Sequence, residues 1–103
     1  ERRALWHYRL RGYRILATNA WIAGYELDLV ARRGRLVVFC EVKAKSGREH
    51  GDAAEMVTVE KQRRISIAAE ALLAGRPDLA GCEIRFDVVA VGGKRLVRLT
   101  DAF

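Results

Sequence analysis

Little in this sequence points to metal fingers or a disulfide scaffold. It holds two cysteines, Cys40 and Cys82, and two histidines, His7 and His50. The cysteines form no CxxC pair, and both histidines lie far from them, so a structural zinc site is not expected. Nothing in the spacing suggests a secreted, disulfide-built fold. Cys40 sits in an apolar run and reads as a small buried hydrophobe. No apolar run is long enough to span a membrane, and no signal peptide is visible. These absences lead to the expectation of a cytoplasmic protein with no membrane partner. The chain starts at Glu1 rather than Met, which leaves room for an upstream segment. Internal repeats, low-complexity stretches and linkers are also missing. The 103 residues therefore fit one domain, 1–103.

What is present is basic and foldable. Half of the residues are hydrophobic, too many for a disordered tail, and the formal charge is +6. A small, folded, cationic domain favours a polyanionic partner, most often nucleic acid. The plainer reading is a protein that is merely cationic.

Periodicity places the elements. Residues 1–11 read as a short helix with Ala4, Leu5 and Tyr8 on one face and Gly12 as its stop. "YRILA" (13–17) is a strand, and 18–24 reads as a connection carrying Trp21. Residues 25–31 and 36–44 are two further strands around an Arg-rich turn. A helix over 58–74 starts at the N-cap candidate Thr58. It carries the stripe Ile65, Ala68, Ala69, Leu72 and Leu73, and ends at Gly75 and Pro77. A strand over 83–91, a Gly92-Gly93 turn and a return strand over 96–99 complete the order α-β-β-β-α-β-β. An α/β fold with a central mixed sheet flanked by helices is the natural architecture, the long helix serving as a crossover.

The informative stretch is "GYELDLVARRGRLVVFCEVKAK", from Gly24 to Lys45. Acids sit inside its strands, at Glu26, Asp28 and Glu41, with Lys43 close behind. With Arg33-Gly34 as the turn, Asp28 falls opposite Phe39 and Glu26 opposite Glu41. Glu26, Asp28, Glu41 and Lys43 then share one face, and Leu27, Leu29, Cys40 and Val42 the other. Like charges across a ladder repel, so something must offset them. Mg²⁺ suits such a patch, because it takes one or two carboxylates plus waters and substrate phosphate. A cation held there activates water and stabilises charge on a phosphate, and Lys43 would point to the same place. The competing reading is a solvated strand face, since Glu41, Lys43 and Lys45 alternate as such faces do.

The same stretch carries a family resemblance. "GYELDLVA" followed by "LVVFCEVKAK" resembles the "GEIDLIA…FVEVKTR" signature of the YraN family of small bacterial proteins. "GYRILATN", "GDAAEMVTVEKQRRI" and "RFDVVAV" resemble further segments of it, so the likeness covers most of the chain. That family is similar to the PD-(D/E)XK nuclease superfamily, including archaeal Holliday-junction resolvases. The resemblance implies a restriction-endonuclease-like sheet and a Mg²⁺- or Mn²⁺-dependent nuclease acting on DNA, on branched or damaged structures. It assigns the motif aspartate to Asp28, and the glutamate and lysine of "ExK" to Glu41 and Lys43. The Val42 carbonyl would assist at the metal. A helical glutamate that often completes the site falls on Glu1 by spacing. Family members often have Gly-Glu where this chain has Tyr25-Glu26, and Ala44 and Lys45 replace the Thr-Arg of "EVKTR". These departures bear on substrate contacts more than on the metal ligands. Resolvase-like chemistry also implies a homodimer.

Other residues divide between roles. Glu26 reads as a charged neighbour or an accessory ligand, and Lys61 as an accessory cation or a solvated first-turn lysine. Asp87 and Arg85 read as a structural ion pair. Arg32, Arg33, Arg35, Lys45 and Arg48 form a basic group able to track a phosphate backbone, with DNA preferred to RNA. Trp6, Tyr8 and Trp21 read as core. Two rivals to a nuclease stay open: a catalytically silent nucleic-acid-binding module, and a partner subunit in a DNA-processing complex.

Overall fold

The computed structural model describes residues 2–44 and 57–103. In chain order they form α1 (Arg2–Arg9), β1 (Arg14–Ile22), β2 (Tyr25–Arg33), β3 (Leu36–Ala44), α2 (Val59–Ala74), a 3-10 turn (Pro77–Leu79), β4 (Glu83–Gly92) and β5 (Arg95–Leu99). The strands make one sheet in the order β1-β2-β3-β4-β5. Every pairing is antiparallel except β3 with β4. A parallel pair needs a long crossover, and α2 lies within that connection. The α/β class and the element order are those expected from the sequence.

Local chemistry explains the helix ends. Thr58 Oγ1 accepts the Lys61 N–H at 3.1 Å, closing the first turn of α2. At the other end the Gly75 N–H reaches Ala71 O and Leu72 O, and Pro77 opens the 3-10 turn. Gly12, at φ +86°, turns the chain from α1 into β1, a conformation that glycine adopts without steric cost.

The sheet is covered on both faces. Ile65, Ala68, Ala69 and Leu72 of α2 pack with Val30, Val37, Phe39 and Val88. On the other side Ala4 and Tyr8 of α1 pack with Leu29, Val38, Cys40 and Val89. Burial on both faces explains the unbroken apolar runs of β3 and β4. It also removes the solvated-face reading of β3: Glu41 is only 4% exposed. Cys40 behaves as expected, buried and free, with burial pushing its thiol up to about 12.

Besides the β4–β5 turn, which is Gly93-Lys94 and not Gly92-Gly93 because Gly92 pairs with Arg95, four sequence expectations are corrected. The β2–β3 turn is Gly34-Arg35, not Arg33-Gly34, because Arg33 pairs with Leu36. Gly34 takes φ +60° at the first central position of the loop, the place glycine fills when it does not sit second. The shift is two residues, so Phe39 pairs with Val30 and not with Asp28. Second, β1 runs on to Ile22 and turns at Ala23-Gly24 into β2. Ala23 at φ +55° occupies a position that sequence rules reserve for Asn, Asp or Gly, which hid the hairpin. Third, strict alternation fails at Asp28. Leu27 packs on the α2 side and Leu29 on the α1 side, so they do not share a face. The β1–β2 ladder omits Asn19 and Asp28, and Asn19 takes φ +48° there. Fourth, Trp6 and Trp21 are 49% and 72% exposed, and only Tyr8 of the three aromatics is core.

Asp87 ties the layers together. Its carboxylate is fully buried and accepts Tyr8 OH at 2.7 Å, Arg85 Nε at 2.8 Å, Arg85 Nη2 at 2.8 Å and the Asp101 N–H at 3.2 Å. The ion pair with Arg85 read from the sequence is present. Burial holds the Tyr8 phenol far above its ordinary value, so it stays protonated and donates. Removing one donor from a buried carboxylate leaves it partly unsatisfied. Tyr8→Phe is therefore expected to destabilise the fold by about 1–3 kcal/mol in urea unfolding. An unchanged midpoint would show that the bond contributes nothing net.

Candidate functional site

The site begins with an interrupted ladder. β3 pairs with β4 along its whole length, from Leu36 to Ala44. With β2 it pairs only from Leu36 to Cys40, the last pair being Leu29–Cys40. Beyond that point β2 leaves, and the next β3 groups on that side lose their strand partner. Asp28 fills the gap: its Oδ2 accepts the Val42 N–H at 2.9 Å. A strand residue's N–H and C=O point to the same side, so the Val42 carbonyl faces this opening too.

Glu41, next to Val42, is buried on the α2 side. Lys61 Nζ lies 3.6 Å from Glu41 Oε1, and Lys43 Nζ lies 3.7 Å from the same oxygen. Both are ion-pair distances, longer than charge-assisted hydrogen bonds. Burial, then the neighbouring Asp28 carboxyl, push Glu41 up to about 7, against the pull of Lys61 and Lys43. Asp28, Glu41, Val42 and Lys43 thus meet, as the sequence suggested, and Lys61 joins them from the first turn of α2. Lys61 is no solvated bystander. It projects from α2 one turn before Ile65, whose side is packed on the sheet.

The remaining sequence candidates lie elsewhere. Glu26 pairs with Trp21 on β1, not with Glu41, and lines a cleft with Lys61 and Arg64. Arg32, Arg33 and Arg35 stand at the β2–β3 turn, roughly 15 Å along the strand from Asp28. Their guanidiniums donate to the carbonyls of Gly34, Arg11 and Gly81, and Arg33 also lies over the Tyr13 ring at 4.5 Å. Glu1, Lys45 and Arg48 lie outside the described residues. Sequence reasoning missed Thr18 and Asn19, which line a second cleft of about 240 Å³ with Arg2, Asp28 and Val42. The polar pair Thr18-Asn19 inside an otherwise apolar strand was the signal available.

The donor chemistry can be tested for fit to a metal. Among the described residues, no three His, Cys, Asp or Glu side chains converge. The opening offers two carboxylates and one carbonyl, all hard oxygen donors. That set fits Mg²⁺ or Mn²⁺, which complete their shells with water and substrate oxygens.

The model of "Uncharacterised protein family UPF0102" matches residues 1–91. The chain belongs to that family. A UPF0102 protein of Dechloromonas aromatica is 40% identical over 103 residues, covering 100% of this chain and 83% of its own. One from Paramagnetospirillum magneticum is 48% identical over 99 residues, covering 92% of this chain and 74% of the relative. One from Rhodopseudomonas palustris is 47% identical over 96 residues, covering 93% and 73%. The UPF0102 match agrees with the family read from the "GYELDLVA…CEVKAK" signature. Among the described residues, no helix is long and apolar enough to cross a membrane.

The raised Glu41 gives a signed pH dependence. The fold favours its protonated form, so that contribution is complete below the unfolded value of 4.5 and is lost as pH rises through about 7. In metal-free buffer with chelator, stability should fall between those values by up to about 3 kcal/mol. Glu41→Gln should flatten the profile in urea titrations at several pH values. An equally steep slope in that variant would assign the effect to another group.

Proposed function

We propose that this UPF0102 chain is a nuclease that hydrolyses phosphodiester bonds in DNA with the help of Mg²⁺ or Mn²⁺. The observation that carries the reading is the meeting of Asp28, Glu41 and the Val42 carbonyl where β2 leaves β3, with Lys43 and Lys61 beside them. A buried carboxyl displaced from its ordinary value, next to a cleft that Asp28 and Val42 line, is a mark of functional sites. The basic composition and the resemblance to the PD-(D/E)XK superfamily point the same way.

In this reading Asp28 and Glu41 hold the cation, with Val42 O as a third donor. Bound there, the ion supplies Lewis-acid stabilisation of the phosphate and a more acidic water. Lys43 and Lys61 keep positive charge at Glu41 and face the charge that builds on the phosphoryl oxygens. Asp28 has a second task, since its bond to the Val42 N–H orients the carboxylate toward the opening. The hairpin arginines and Lys45 and Arg48 would track flanking phosphates. The reading carries a cytoplasmic enzyme and a homodimer, as in resolvase-like chemistry.

A second reading is a binding module without catalysis. It draws on the same contacts: Asp28 is engaged by backbone and Glu41 by two lysines, which suits a purely structural patch. Cleavage assays separate the two. With plasmid and branched DNA, the nuclease reading expects cleavage that needs Mg²⁺ or Mn²⁺ and stops with chelator. Asp28→Ala and Glu41→Ala should each lower it by about 100-fold or more while the circular dichroism spectrum holds. Full activity in either variant would sink the assignment. Salt-sensitive binding with no turnover would favour the module.

A further inference from the structure

We propose that the cleft between the β1–β2 hairpin and α2 is a subsite for one unpaired nucleobase, with Trp21 as its stacking face. The proposal rests on the nucleic-acid reading above and names its substrate class: strands with unpaired bases, such as single strands, flaps and branch points.

A lone exposed aromatic needs no explanation. Trp21 is not alone. It is 72% exposed and walls a cleft of about 360 Å³ together with Tyr25, Glu26, Lys61, Arg64 and Ile65. That volume is in the range of small-ligand sites. Trp21, Tyr25 and Ile65 are its apolar lining residues, and Lys61 and Arg64 make the α2 side cationic. Lys61 and Arg64 are three residues apart, so they project from the same helix face. Arg64 is held in place by Glu60 at 3.3 Å and lies 5.9 Å from the Tyr25 ring centroid. The carboxylate of Glu26, cross-strand partner of Trp21, leaves α2 as the phosphate-facing side.

Position makes the cleft relevant to the chemistry. Lys61 lines it and also lies 3.6 Å from Glu41. A nucleotide seated on Trp21 therefore has its backbone led toward the carboxylate pair. Every base has a π-face, so stacking tolerates any sequence, while a cationic wall follows the phosphates. A base inside a duplex is already stacked on its neighbours and presents no free face. The subsite thus discriminates by strand pairing and not by sequence.

The test uses Trp21 as its own reporter. In a Trp6→Phe background, Trp21 is the remaining tryptophan. Chelator keeps the protein metal-free, so binding is read without cleavage. Oligothymidylate is titrated against an abasic strand of the same length and charge. The expected result is saturable quenching by oligothymidylate and binding of the abasic strand weaker by about fivefold or more. Trp21→Ala, read by anisotropy of labelled DNA, should weaken single-strand binding about tenfold and leave duplex binding unchanged. Equal binding of the abasic and base-bearing strands would overturn the proposal. So would a Trp21 signal that follows protein concentration without DNA, which would make the face a contact with a second copy. Failure here with metal-dependent cleavage intact leaves the nuclease reading standing. Stacking with no cleavage supports the subsite and removes the catalytic role.

Discussion

The hydrogen bond from the Val42 N–H to Asp28 is the contact on which the site depends. A buried backbone donor must find a partner. Along most of β3 that partner is another strand. Past Cys40, β2 has departed, and a side chain takes over at 2.9 Å. The substitution lets the sheet open without orphaning the donor. It also fixes one carboxylate at the opening and leaves the Val42 carbonyl facing the same way. The opening and the chemistry it can host are consequences of one satisfied N–H.

Among the described residues two carboxylates are buried, and their treatment differs. Asp87 collects four donors at 2.7 to 3.2 Å from α1, β4 and the chain after β5. Such saturation is what a structural anchor needs, because an unpaired buried charge is costly. Glu41 has two ion pairs at 3.6 and 3.7 Å and a carboxyl for a neighbour. Burial and like charge outweigh the lysines there, and the proton is held to higher pH. Among the described residues Glu41 is held by longer ion pairs than Asp87, and in the proposed function a cation or a substrate group would add to them.

Much of this was readable from residue order. The α2 stripe from Ile65 to Leu72, the Thr58 cap and the β3 bounds follow from periodicity and local hydrogen bonding. The spacing of Asp28, Glu41 and Lys43 brought them to one place even though the register was two residues off. Glu41 and Lys43 are two apart on β3 and keep one parity whatever the β2 register, while Asp28 reaches them through its bond to the Val42 N–H at the point where alternation in β2 breaks. The Ala23-Gly24 hairpin was not readable, because alanine at positive φ contradicts local preference and is imposed by the strands it joins. The exposure of Trp21 was hidden for a related reason. Once 18–22 joins β1 at the edge of the sheet, β2 is the strand beside its tryptophan among the described residues.

The sequence by itself determined the fold class, the family and which side chains carry charge within the sheet, because those rest on periodicity and on residue identity. Tertiary structure alone decided that Glu41 is buried, that Lys61 reaches it, and that Trp21, Glu26 and Arg64 share a cleft with Lys61. These facts depend on how α2 crosses the sheet and where β2 parts from β3. Both are set by the packing of distant segments, and no local window of the chain encodes them.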